Sequence, residues 1–309
     1  MNPDPFAVAP ATTTPPAAAG KGRLFVIQTG LVTTAIALAI VYWLSHKTEF
    51  NPMGFYVKLI LPLGAIAVGA VAGLGYGMAS SWTGAKIGRG LLITVCALLV
   101  AAYFVAQYIE FRDLDLMYED TGERVAFIDY FHIVTINMTF TSSRSGSGPG
   151  EPVGLWGYAF RALEIGGFVL GGLIAPLVMM SKPYCDPCQR YQTTKELGVV
   201  PITPADATTD ATTSPEAAAE EAAAWHERLR SMAEAGDAAG FRAAIGSYAG
   251  EQKAINKMPS RTRLRLIYCK GCASGKLEGA VLSGQGENVQ VDLLPDAKVS
   301  SAFINGMGL

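Results

Sequence analysis

The chain has 309 residues, half of them hydrophobic and only 16% charged, against about 25% in an ordinary soluble domain. That deficit points to a membrane protein. The net charge of −2 excludes a chain built to coat nucleic acid over its whole surface.

Residues 1–20 are rich in Pro, Ala and Thr. They lack the large apolar side chains that offset the entropy of ordering, so they read as a disordered tail. The first apolar run, opening at Leu24 after Lys21 and Arg23, is too long for the core of a cleaved signal and reads as a signal anchor.

Four runs, roughly 24–44, 57–80, 90–109 and 158–180, reach the ~20 apolar residues that a helix needs to cross a bilayer. Lys21, Arg23, Lys86, Arg89, Lys182, Arg190 and Lys195 fall on one side of them; Lys47, Lys58 and an acid-rich loop, 110–154, fall on the other. The bias places both termini in the cytoplasm. Ala65, Gly69, Gly73 and Gly77 recur every fourth residue in the second run, and Gly167, Gly171 and Ala175 in the fourth. Such faces let helices approach closely in lipid, which predicts a tight bundle with those two helices at its centre. Arg161 and Glu164 are the only charges in the interior of a span. Ionisable groups there are functional candidates and would serve a small transporter or channel; a wet, mutually paired position at the outer interface is the simpler account. In the outer loop, residues 127–134 predict a surface helix, and the alternation over 134–141 predicts a strand.

The remainder is soluble in character. A Thr-, Pro- and Ala-rich linker leads to Ser214, a helix cap, followed by Pro215. Trp225, Leu229 and Met232 share one face of that helix; Gly236 ends it, and Asp237 caps a second with Phe241, Ile245 and Tyr248. From Arg261 the period becomes two, giving strands near 261–269, 276–283 and 287–294.

Two motifs carry the chemistry: YCDPC, with Cys185 and Cys188, and YCKGC, with Cys269 and Cys272. Two C-x-x-C pairs can supply four thiolates to one tetrahedral zinc, and a reducing cytoplasm disfavours structural disulfides. The 80 residues between Cys188 and Cys269 exceed the usual gap of about 15–20, so the linker and helical hairpin read as an insertion. Without it, knuckle, knuckle and small sheet resemble the zinc-ribbon family of folds. The sheet alone is too small to bury a core, and a metal would supply the missing stability. One departure stands out: ribbon knuckles often carry glycine just after the second cysteine, where this chain has Gln189 and Ala273, with Gly271 inside the second pair instead. Thiol redox chemistry is the alternative, favoured by the proline before Cys188 and disfavoured by the lack of a strand–helix context. The fifth cysteine, Cys96, sits in an apolar run and reads as a small hydrophobe.

Beside the second pair stand Lys253, Lys257, Arg261, Arg263, Arg265, Lys270 and Lys276, with Glu251 the one acid from 251 to 277. Three readings are open for them: a solvated strand face, contact with anionic lipid headgroups or a protein partner, and, least favoured, nucleic acid.

Residues 62–77 (PLGAIAVGAVAGLGYG), 154–172 (GLWGYAFRALEIGGFVLGG) and the KPYCDPC that follows the last span resemble a type of bacterial four-pass inner-membrane protein with a C-terminal split zinc-ribbon-like domain. The resemblance covers roughly 59–188 and the closing YCKGC; it implies architecture and no activity. The expectation is a mainly α membrane protein. It has a tail (1–20), a four-span bundle (21–182) with its outer loop (110–154), and a cytoplasmic α+β zinc-ribbon-like domain (183–309). The ribbon is split into 183–198 and 260–309 by the linker and hairpin, 199–258. No nucleotide loop, metalloprotease helix or nucleophile elbow occurs, so a non-enzymatic zinc-binding docking module is expected, with room for a homo-oligomer.

Overall fold

A computed structural model describes residues 17–48, 51–57, 61–114, 116–118, 122–139, 151–202, 215–258, 260–284 and 289–309. The chain divides into two compact units, Met1–Lys182 and Pro183–Leu309.

The first unit is built on α1 (Ala17–Thr48), α2 (Leu63–Thr83) and α3 (Arg89–Asp113), then the short α4 (Phe127–Ile136) and α5 (Gly157–Met180). Four helices among the described residues are long and apolar enough to cross a membrane. Helix α1 begins at Ala17, inside the stretch expected to be disordered; residues 1–16 lie outside the described residues. Outward-facing positions are apolar, with Ile93 70% and Leu170 64% exposed. Water would penalise such faces, whereas lipid tails solvate them.

Helix α2 is the centre of the bundle, and its small residues are the reason. On one face, a Cβ at Gly73 would stand 2.0 Å from the Gly172 carbonyl oxygen of α5, and one at Gly69 2.0 Å from that of Phe168. On the opposite face a Cβ at Gly75 would meet the Thr29 carbonyl oxygen of α1 at 2.6 Å, and the Thr33 hydroxyl donates to the Ala72 carbonyl at 2.9 Å. Backbone therefore touches backbone on both sides, the packing that replaces the hydrophobic effect in lipid.

The strand expected over 134–141 does not form. Helix α4 runs to Ile136, residues 137–139 are irregular, and 140–141 lie outside the described residues. The local alternation loses to packing: Phe127 of α4 meets Phe111 of α3 edge-on, and Tyr130 meets the same ring at a tilt.

The second unit opens with a hairpin of β1 (Tyr184–Cys185) and β2 (Arg190–Tyr191), followed by β3 (Thr193–Pro201). Helices α6 (Pro215–Ala235), α7 (Ala238–Gly246) and α8 (Gln252–Ile255) come next, then β4 (Ser260–Tyr268), β5 (Gly275–Ser283), β6 (Gln290–Leu293), β7 (Ala297–Val299) and α9 (Ser301–Gly306). The sheet order is β3-β4-β5-β6, all antiparallel, with β7 also on β5. Asp237 caps α7 as expected, accepting from the Gly240 N–H, and Gly236 ends α6 at φ +81°. Ser214 lies outside the described residues. Strand β3, with a bulge between Glu196 and Gly198, runs on to Pro201, past the ribbon segment drawn to residue 198. Its free edge is covered by Gln252, whose amide accepts from the Val199 N–H and donates to the Val199 carbonyl, as a neighbouring strand would.

The helical hairpin is more than an insertion. Trp225, Leu229, Ala233 and Phe241 pack with Leu264, Leu266, Leu277, Val299 and Phe303 in one buried core. The sheet was expected to need a metal for want of a core; the hairpin and α9 supply that core by covering one sheet face. Every residue of the core follows Pro183, so this unit closes on itself.

The glycine packing makes a prediction. A Cβ at Gly171 would lie 2.1 Å from the Ile66 carbonyl oxygen, while Gly166, five residues earlier on α5, has open space. Gly171→Ala should destabilise the detergent-solubilised protein by about 1–3 kcal/mol, and Gly166→Ala should leave its melting temperature unchanged or raised.

Candidate metal centre

Each C-x-x-C pair sits in a hairpin turn, and both turns put the residue after the second cysteine in the left-handed region while closing with different backbone bonds. In the first, Cys185 pairs with Arg190, the Gln189 N–H donates to the Asp186 carbonyl at 3.3 Å, and Gln189 takes φ +48°. In the second, Tyr268 pairs with Gly275, the Ala273 N–H donates to the Cys269 carbonyl at 2.9 Å, and Ala273 takes φ +47°. Glycine was missing just after each second cysteine, yet the left-handed conformation that glycine would favour is present at both places. Gly271 has a separate job: a Cβ there would stand 3.0 Å from Cys188 Sγ, so its bareness lets the second turn close onto the first.

Strand pairing brings the turns together. Strand β3 leaves the first turn, and its Thr193 is opposite Tyr268, the residue before Cys269. The insertion departs from the other end of the same ladder, where Pro201 is opposite Arg261. The exit and return of the insertion are thus at the opposite end of the ladder from the cysteines.

All four Sγ atoms lie within 4.8 Å of one another, and Cys185 Sγ is 3.7 Å from Cys272 Sγ. Tetrahedral sulfurs about 2.3 Å from a metal stand about 3.8 Å apart, whereas a disulfide needs about 2.0 Å. All five cysteines are free thiols. The four clustered residues thus suit a metal ion, and neither pair opens a helix, as a thioredoxin-like site would.

The four thiols are unequal. Cys269 and Cys185 are buried and Cys272 is exposed. The Ser274 hydroxyl, 2.9 Å from Cys272 Sγ, holds that thiol down at about 6. Burial, reinforced by the neighbouring cysteines, pushes Cys188 up to about 12 and raises Cys185. The Gly271 N–H donates to Cys269 Sγ at 3.4 Å. Ser274 was invisible to the motif because it lies two residues beyond it. Cys96 stands apart on α3, partly buried.

The other expected sites fall elsewhere. Arg161 and Glu164 form an ion pair of 2.9 Å on α5. Both are buried, Glu164 at 2% exposure, where a wet position was expected. Arg161 also reaches the Tyr103 hydroxyl of α3 at 3.3 Å and lies over the Phe131 ring of α4, so it ties three helices together. In the second unit, Arg261, Arg263, Arg265 and Lys276 share one face of the sheet by register. Lys253 stands on α8, Lys257 just beyond it, and Lys270 in the second cysteine turn. No protein-family model, curated protein or solved structure matches the chain.

Two predictions follow from the turn geometry and the thiol inequality. Ala273→Gly should raise the urea stability of the second unit by up to about 1 kcal/mol by relieving a left-handed alanine, while Ala273→Val should lower it by more than that. In metal-free protein at pH 7, iodoacetamide should label Cys272 first, since its thiol is mostly ionised above about 6. Labelling should fade as pH falls through that value and slow in Ser274→Ala, as read by mass spectrometry.

Proposed function

We propose that this chain is a four-pass integral membrane protein of the bacterial inner membrane, both termini cytoplasmic. Its C-terminal unit is a split zinc ribbon used for docking and not for catalysis. The observation that carries the reading is the convergence of four sulfurs within 4.8 Å from two turns that each place a left-handed residue after the second cysteine. An all-thiolate set favours zinc over harder cations, and four protein ligands make a closed, structural site with no position left for substrate. Bound zinc would supply a cross-link between the two turns. Cys185 and Cys188 would hold it from the first, Cys269 and Cys272 from the second, and the low-lying Cys272 thiol would be the readiest to bind as thiolate.

Thiol redox chemistry has less support, because the hairpin turns offer no helix terminus to stabilise an attacking thiolate. Transport through Arg161 and Glu164 also has less: the pair already has a structural role between α3, α4 and α5.

Metal analysis tests the proposal. Residues 183–309, purified without chelator, should carry about one zinc per chain, lost in both Cys185→Ser and Cys269→Ser. Chelation should lower the melting temperature without unfolding the unit outright, since the core is complete without the metal. Zinc absent from the wild type, with thiols that oxidise in pairs, would refute the ribbon and restore the redox reading.

A further inference from the structure

The sheet of the second unit has two unlike faces. Thr262, Leu264, Leu266 and Tyr268 of the central strand β4 are buried under the helices. The alternate residues Arg261, Arg263 and Arg265 point the other way and are only partly covered. Register adds Lys276 of β5 to this second face, and Val291 and Leu293 of β6 through their pairing with Leu282 and Ala280. Leu293 is 82% exposed and Val291 50%.

Part of the positive charge is already balanced. Arg265 pairs with Glu196 at 2.9 Å, and Lys276 with Glu278 and Asp296 at 2.6 and 2.8 Å. Among the described residues, Arg261 bonds to the carbonyls of Met258 and Gly284, and neither it nor Arg263 has a carboxylate partner. Two arginines on the middle strand thus offer guanidinium charge that no described carboxylate neutralises, beside two bare aliphatic side chains at the sheet edge.

We propose that this face docks on anionic phospholipid headgroups, with Arg261 and Arg263 taking the phosphates and Val291 and Leu293 entering the interface. This rests on the docking-module reading above and names its partner. Three observations choose lipid. Guanidinium forks match phosphate oxygens. Exposed aliphatic residues beside bases are the composition of an interfacial membrane contact. Only Ser181, Lys182 and Pro183 separate α5 from β1, so if α5 spans the bilayer, connectivity alone keeps the unit near the headgroup layer at high effective concentration. Single-stranded nucleic acid would want aromatic platforms for its bases, and no aromatic residue occupies any register position on this face.

The test is co-sedimentation of residues 183–309 with vesicles of phosphatidylcholine alone or mixed with phosphatidylglycerol, with zinc and far-UV circular dichroism read on the same sample. Binding should require phosphatidylglycerol and weaken with salt. Each base at such a surface is worth about 1 kcal/mol, or about fivefold. The double variant Arg261→Gln/Arg263→Gln should therefore lose on the order of 25-fold, while Arg261→Lys/Arg263→Lys keeps most of the binding and controls for folding. Leu293→Ser should weaken binding with no change in salt dependence. A zinc-loaded, folded unit that ignores phosphatidylglycerol overturns this inference and leaves the zinc ribbon intact. A unit without zinc that still binds refutes the ribbon and leaves this inference standing. Binding to an oligonucleotide in preference to vesicles, or equal binding by the glutamine variant, overturns it.

Discussion

The antiparallel ladder between β3 and β4 is the constraint on which the second unit depends. Its register sets Thr193 opposite Tyr268 at one end and Pro201 opposite Arg261 at the other. The first end fixes where the two cysteine turns meet. The second gives the long insertion an exit and a return on adjacent strands, far from the thiols. A shift of one residue would send Leu264 and Leu266 to the arginine face and Arg263 and Arg265 into the core, and it would part the cysteines as well. Burying Trp225, Leu229 and Phe241 against the leucine side of β4 therefore defends the thiol cluster, although none of those residues touches a sulfur.

The first unit obeys a different rule. In a bilayer, helices with apolar side chains turned outward would gain little from burying more of them and would associate where backbones can approach. The packing fits that rule: α2, the helix richest in small residues, is the most buried of the four candidate spans. The bundle also tolerates Arg161 in its interior. Glu164, the Tyr103 hydroxyl and the Phe131 ring lie around it, so its charge is met by polar and π partners.

The legible parts of the sequence were those that one periodicity or one spacing decides: four long apolar helices, the Asp237 cap, the strands from Arg261 onward, and the meeting of two C-x-x-C motifs. Strand β3 was obscured because its bulge at Gly198 breaks the alternation, and because Val199–Pro201 reads like the start of the linker. The segment 134–141 failed in the other direction. Its alternation was real but local, and ring contacts on α4 outweighed it. The left-handed Gln189 and Ala273 had no signal of their own, since neither residue type favours that conformation. Gly271 did carry a signal, and its meaning needed the distance to Cys188.

A complete core would change what a bound metal is for. A ribbon with only a small sheet would need its ion to fold at all, whereas this unit has a helix-covered sheet. The contribution of an ion held by the four cysteines would then be positional. The first turn is where the chain enters the unit, directly after Pro183, whose carbonyl accepts from the Gln192 N–H at 2.9 Å. By itself that turn is a two-residue ladder, too short to hold its direction. Bonds from Cys185 and Cys188 to an ion shared with Cys269 and Cys272 would weld it to the ends of β4 and β5, the strands that carry Arg261, Arg263, Arg265 and Lys276. An ion held there would therefore fix the direction of the first turn against the sheet, a task the core does not perform, because none of the core residues belongs to that turn.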